Sequence, residues 1–321
     1  HHLAFAAPPA AAAAMAPQQR LLRERGYAAL NEGGMARVAL NSSLTGLFLG
    51  IASTDFSQVL AASPAGGSVY AATGSVLSIA SGRLSYVLGL HGPCVSVDTA
   101  CSAALAAGHT GLRALQLGEC TDGLVVGVTL MLTPAVGSSF AVAGMTSPRG
   151  RSHTFDARAD GYARGEACGA MALRASSSDD AASLGLLGSA VRQDGRSASL
   201  TAPNGRAQQG LLVAALGDAA TPADALTLGE AHGTGPARGA PAVTCECWGR
   251  ARCSSRRARP LGAVRLARRP SCRTALPGTV VASSPIGLRT AAPHASPRTK
   301  PLARESNTNG LPEGEVKPAA A

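Results

Sequence analysis

Residues 92–105 read Gly-Pro-Cys-Val-Ser-Val-Asp-Thr-Ala-Cys-Ser-Ala-Ala-Leu, and they restrict the fold more than any other stretch of this 321-residue chain. Val95-Ser96-Val97 is a β-branched run with the length of a short buried strand. Asp98-Thr99 makes a polar turn, and Cys101 opens an Ala-rich helix that the pattern carries to about Leu117. The arrangement puts a thiol near the positive end of a helix dipole. There a thiolate is stabilised, and backbone N–H groups are free to hold an anion. This is a physical basis for a nucleophile; the ordinary alternative is a buried structural cysteine.

The flanking segments extend the same grammar. Pro17 suits a first helical position and Gly33-Gly34 a stop, with Leu21, Leu22, Ala29 and Leu30 near one face between them. Residues 45–51, Thr-Gly-Leu-Phe-Leu-Gly-Ile, read as a buried strand bearing a glycine near each end. Residues 75–88 read as a helix that stops at Gly89. Residues 124–130 form an apolar strand, so the Cys101 helix is flanked by strands in a β-α-β unit with parallel strands and a right-handed crossover. Residues 147–166 are polar and rich in Gly and Arg, which predicts a long functional loop. Strands are expected over 169–173 and 184–191, and a helix over 207–218.

The charge is unevenly placed. Residues 1–235 hold 14 Arg against 15 Asp and Glu, whereas residues 236–321 hold 15 Lys and Arg against 4 acids, so the net charge of +10 arises wholly in the last part. That part mixes Arg, Pro, Ser and Cys without helical or strand period, the composition of a disordered or mis-specified segment. Its nine arginines between Arg250 and Arg273 have only Trp248 as a nearby aromatic, so non-specific electrostatic attraction is expected rather than a nucleic-acid module. Cys245, Cys247, Cys253 and Cys272 have no common zinc spacing. Eight scattered cysteines are not a disulfide framework, which points to a reduced setting, cytoplasmic or plastid and not secreted. No membrane span and no secretory signal are expected. A first residue other than Met is expected of a fragment or a processed chain.

Six motifs in one order resemble the β-ketoacyl synthase family, above all the ketosynthase domains of type I polyketide synthases and related fatty-acid synthases. Residues 15–22, MAPQQRLL, are similar to the family's DPQQRLLL, with Ala16 where Asp is usual. Residues 70–93 resemble ATGxxxSIxxGRLSYxLGLxGP, and residues 97–105 resemble the nucleophile motif VDTACSSSL. Residues 155–166 resemble FDAxADGYxRGEG, residues 193–208 resemble QDGRSxSLTAPNGxAQ, and residues 230–235 match EAHGTG. The resemblance covers residues 3–235. It implies an α/β, thiolase-like fold, five-layered αβαβα in the complete family. It also implies a homodimer, substrates carried on the phosphopantetheine of acyl carrier protein, and no directly bound cofactor or metal. The implied reaction is a decarboxylative Claisen condensation in which Cys101 accepts the acyl group. His232 would donate a hydrogen bond to the malonyl thioester carbonyl and stabilise the enolate.

The chain departs from the family after His232. Pro236-Ala237-Arg238-Gly239 stands where TxxGDxxE follows, and neither a KxNxGHxE context nor a Gly-Phe-Gly-Gly loop appears later. The only later histidine, His294, lies in Ala-Pro-His-Ala. The expected organisation is therefore 1–180 as the N-terminal ketosynthase half, 181–235 as the start of a truncated or scrambled C-terminal half, and 236–321 as a basic tail. A change of coding frame close to Thr234–Pro236 accounts for such a break, and an intact in-frame transcript encoding the same tail would contradict it. An inactive, non-enzymatic ketosynthase-like chain is the alternative to an active condensing enzyme.

Among other candidates, His91, His109 and His153 are expected in packing or surface roles. Asp98 is expected as a turn or helix-start acceptor. Asp160 and Glu166, with Arg158 and Arg164 nearby, read either as an acid/base pair or, more ordinarily, as ion-paired loop residues.

Overall fold

The computed structural model describes residues 7–52, 55–153, 156, 158–175, 185–197, 199, 202–226, 230 and 232, together with the backbone of 279–283. Every described residue belongs to one compact unit, which lies within His1–Gly287. In chain order its elements are α1 (Pro9–Ala14), α2 (Pro17–Glu32), α3 (Arg37–Leu40), β1 (Thr45–Ile51), α4 (Phe56–Ala61), α5 (Ala71–Gly74), α6 (Leu77–Leu88), β2 (Cys94–Val97), α7 (Ala103–Gln116), β3 (Asp122–Thr129), α8 (Pro134–Val142), β4 (Ala167–Arg174), β5 (Leu186–Val191), α9 (Gly205–Asp218) and β6 (Thr279–Ser283).

The main sheet has the order β2-β1-β3-β4. β1 pairs in parallel with both β2 and β3, and β4 closes the other edge antiparallel to β3. The β-α-β unit expected around Cys101 is present, but β2 and β3 are not neighbours, because β1 lies between them. The expectation that 95–97 are buried is corrected as well. Cys94 is exposed and Val95–Val97 are half-buried, since an edge strand is covered on fewer sides.

β1 is buried along its whole length, and its alternation sorts two cores. Leu47, Leu49 and Ile51 meet Leu22, Leu30, Leu84 and Leu88 on the face covered by α2 and α6. Phe48 points the other way, onto Ala107 and Ala114 of α7 and Val125 of β3. Each buried leucine of this kind contributes about 2 kcal/mol relative to exposure. α6 ends where expected: Gly89 takes φ +70, and the Leu90 N–H donates to Ser85 O at 2.9 Å, a left-handed helix cap.

The face of α2 is not the apolar stripe alone. Gln18, Gln19 and Arg23 are buried with Leu22 and Leu30. Arg83 Nε of α6 donates to Gln19 Oε1 at 2.8 Å, and Arg83 Nη2 to Thr73 O at 3.1 Å. Arg20 Nη2 donates to Ala12 O at 2.7 Å. The polar letters of the PQQRLL motif thus cross-link α1, α2, α6 and the segment around α5, a structural role.

β5 and β6 make a separate parallel pair. α7 touches β5 as well as β1 and β3, and α9 packs on β5. α7 therefore lies between the main sheet and β5. Within residues 236–321 the described part is β6, where Thr279-Val280-Val281-Ala282-Ser283 is a run rich in β-branched residues that pairs with β5. The remaining predictions for that region lie outside the described residues, namely the zinc spacing of Cys245, Cys247, Cys253 and Cys272, the arginines of 250–273, His294 and the frame change at 234–236. No described helix is long and apolar enough to cross a membrane.

Candidate active site

Cys101 lies in a 3₁₀ turn, Ala100–Ser102, that leads directly into α7. The turn is held by its own polar residues. Asp98 Oδ1 accepts the Ala100 N–H at 2.9 Å, the turn-acceptor role expected of Asp98. Ser102 Oγ lies 2.9 Å from both Thr99 O and Thr99 Oγ1. Ala100 has φ +54, a left-handed conformation that costs a non-glycine residue about 1–2 kcal/mol. Strain of that size survives only where the surroundings over-determine the backbone.

Two glycines beneath the turn do so. Gly50 of β1 and Gly127 of β3 are register partners. A Cβ on Gly50 would collide with the backbone N of Ala104, and one on Gly127 would lie 2.7 Å from Ala104 Cβ. Their missing side chains let the first turn of α7 press into the sheet and set the height of Cys101.

Cys101 and His232 come together. The His232 side chain lies near enough to the thiol to be the largest influence on it, and it lowers the Cys101 pKa from its ordinary value. Burial opposes the change, while the His232 charge and the backbone N–H groups of Cys101 and Ser102 add to it. His232 shifts upward, chiefly through the same contact. Cys120 and Cys168 behave oppositely: burial raises both. A thiol lowered by an imidazole at a helix start has the setting that favours a nucleophile.

The other candidates stand apart from this pair. His109 Nδ1 shares a 2.8 Å hydrogen bond with Ser189 Oγ of β5, in keeping with a packing role. His91 is exposed and His153 half-buried. Asp160 and Glu166 form no acid/base pair, and their partners differ from the sequence neighbours. Asp160 Oδ1 accepts from Ser147 Oγ at 2.6 Å and its Oδ2 from Arg149 Nε at 2.9 Å. Arg158 pairs with Asp156 at 2.7 Å. Glu166 Oε1 accepts the Met131 N–H at 2.6 Å, and Arg164 sits 5.2 Å from the centre of the Phe140 ring.

The loop 147–166 carries one residue that sequence reading passed over. Tyr162 closes its neck, with Tyr162 N–H donating to Met145 O at 3.1 Å and Ser147 N–H to Tyr162 O at 3.0 Å. The Tyr162 pKa is raised, mostly by burial, with the Cys101 charge contributing. Its motif was visible, but nothing local tied it to Cys101. A surface cavity of about 570 Å³ lies along α8, with Leu132, Thr133 and Arg164 in its lining and neither Cys101 nor His232 among them.

Solved structures with a similar fold place the chain in the thiolase-like class. The ketosynthase from module 6 of the bacillaene synthase of Bacillus subtilis 168 superposes with a TM-score of 0.69 at 34% identity, over 76% of this chain and 43% of that one. An oxazolomycin ketosynthase domain of Streptomyces albus gives 0.71 at 30% identity, over 79% and 45%. Residues 1–178 match the β-ketoacyl synthase N-terminal domain family, and residues 185–261 match the β-ketoacyl synthase C-terminal domain family. The chain belongs to the β-ketoacyl synthase family, as a ketosynthase domain of the type I polyketide synthase kind.

Curated relatives agree. A phenolphthiocerol/phthiocerol polyketide synthase of Mycobacterium tuberculosis is 41% identical over 241 residues, which is 74% of this chain and 16% of that protein. The spectinabilin polyketide synthase protein NorC of Streptomyces orinoci is also 41% identical over 241 residues, 11% of its length. The chain thus spans under half of the solved ketosynthases and about a sixth or less of these multidomain relatives.

Proposed function

We propose that Cys101 is the acyl acceptor, and His232 its partner, in a 3-oxoacyl-[acyl-carrier-protein] synthase reaction of polyketide or fatty-acid assembly. The observation that carries this reading is the juxtaposition of Cys101, in the turn that opens α7, with His232, with Cys101 lowered and His232 raised. The Cys101 thiolate attacks the carbonyl of an acyl thioester presented on the phosphopantetheine of acyl carrier protein. A new C–S bond forms, the carrier's C–S bond breaks, and the departing thiolate takes a proton from His232. In the second half, malonyl on its carrier loses carbon dioxide. The enolate attacks the acyl-Cys101 carbonyl, and Cys101 leaves as thiolate from a 3-oxoacyl carrier product. His232, once it has regained a proton from solvent, donates to the malonyl thioester oxygen while charge develops there; a donor so placed contributes roughly 10²–10³ in rate. A homodimer in a cytoplasmic setting fits the same reading.

A second reading, a chain that does not complete condensation, is favoured by one observation. Residues 233–321 contain His294 alone as a further histidine, in a context unlike the family's second catalytic histidine. One experiment separates the two. The chain is incubated with an acyl-carrier thioester and malonyl-carrier protein, and both enzyme and carrier are weighed. A 3-oxoacyl carrier supports the full reaction. Acyl-enzyme that persists beside unconsumed malonyl carrier supports acyl acceptance alone. Enzyme without any adduct supports the inactive chain.

A further inference from the structure

Cys101 and His232 are carried by different parts of the chain, the turn that opens α7 and the segment that follows α9. Their pairing survives only if those parts keep their relative position. Polar bonds from the middle of α7 do that locking. His109 Nδ1 meets Ser189 Oγ at 2.8 Å. Arg113 Nη2 donates to Ser189 O at 3.1 Å and to Asp218 Oδ1 at 2.6 Å. Asp218, the last residue of α9, also accepts the Ser189 N–H at 2.8 Å through Oδ2. Ser189 is fully buried, so its hydroxyl depends on the imidazole for satisfaction.

We propose that His109 is a positioning residue for Cys101: through Ser189 it sets the tilt of α7 against β5 and α9, and thereby the distance from the thiol to His232. The inference rests on the Cys101–His232 reading given above. The lever is long. His109 lies eight residues beyond Cys101, about 12 Å along a helix, so a tilt of about 5° at His109 moves the thiol by about 1 Å. A close thiol–imidazole contact does not tolerate that displacement. Arg113 and Asp218 are the charged groups that face His109, Arg113 opposing its protonation and Asp218 favouring it. Burial holds the ring below its ordinary value, so it meets Ser189 as neutral imidazole near neutral pH.

The test is the pH midpoint of Cys101 alkylation by iodoacetamide in the full chain, followed by peptide mass spectrometry. Wild type is expected to show a midpoint below that of a free thiol, and His232→Ala to raise it. His109→Ala is expected to raise it by about one pH unit, the order of a single hydrogen-bond contribution. His109→Asn, whose amide reaches the place of Nδ1, restores the wild-type midpoint. Ser189→Ala deletes one oxygen atom from the same bond and repeats the effect if His109→Ala does not fold. A merely structural His109 would lower the unfolding temperature and leave the midpoint in place. A midpoint raised by His232→Ala but unmoved in His109→Ala and Ser189→Ala overturns the positioning role and leaves the Cys101–His232 pair intact. A midpoint that His232→Ala does not move overturns the pair, and the positioning role with it.

Discussion

Gly50 and Gly127 face one another across β1 and β3, and both are closed over by Ala104 in the first turn of α7. The site is therefore built on the sheet at two positions where no side chain fits. Gly50→Ala would bring a methyl group against backbone atoms of Ala103 and Ala104, which cannot move without lifting the Cys101 turn. The expected cost is about 1–3 kcal/mol, as for other overpacked cores, with slower alkylation of Cys101. Urea unfolding measures the first and iodoacetamide the second; a variant as stable as wild type would refute this seating.

Ala100 stores strain directly before the nucleophile, at φ +54. Ala100→Gly removes the Cβ conflict. The chain is expected to gain up to about 1 kcal/mol while Cys101 reacts more slowly, because a glycine no longer holds the turn in one conformation. Thermal unfolding combined with the alkylation rate checks both signs. A loss of stability would show that Ala100 is unstrained.

How far these features were visible in the sequence follows from the range of the forces behind them. β1, α6, α7 and β3 were legible because glycine stops and short apolar runs are local signals. The strand, turn and helix around Cys101 were legible because they adjoin in sequence, whereas only motif order linked Cys101 to His232. The place of β1 between β2 and β3 was not, since pairing partners lie tens of residues apart and no local pattern encodes which edge each takes. Nor could periodicity reveal that Gln19 and Arg83 meet in the core, 64 residues apart, or that Asp160 chooses Arg149 over Arg158. His109 read as a packing residue. Its partner Ser189 stands 80 residues away and became visible only once β5 lay beside α7.

The His109 contact gives a signed pH dependence. The folded-state pKa lies below the unfolded value of about 6.5. Its contribution to stability is therefore fully present above about pH 6.5 and is lost as pH falls through the folded value, because the unfolded chain binds the proton first. Urea midpoints should fall between pH 7 and pH 5 in wild type and fall less in His109→Asn, which does not titrate. Equal slopes in the two proteins would contradict it.

Asn204 caps α9 and ties its start to a preceding loop. Its Oδ1 accepts the Ala207 N–H at 3.3 Å, and its backbone N–H donates to Asp194 Oδ2 at 2.9 Å. Asn204→Ala removes the cap and is expected to cost about 1 kcal/mol, read by urea unfolding at neutral pH. Asn204→Asp, which keeps the acceptor at the helix start, should recover most of it.

The central claim is that Cys101, alone among eight cysteines, is made into an acyl acceptor by its turn and by His232. Its most direct measurement is peptide mapping after brief exposure of the full chain to an acyl thioester at neutral pH. The expected result is a single acyl adduct on Cys101, absent from Cys101→Ser at the same mass shift and formed at least tenfold more slowly in His232→Ala. Adducts distributed over Cys94, Cys101, Cys120 and Cys168 in proportion to exposure, or a rate indifferent to His232, would contradict it.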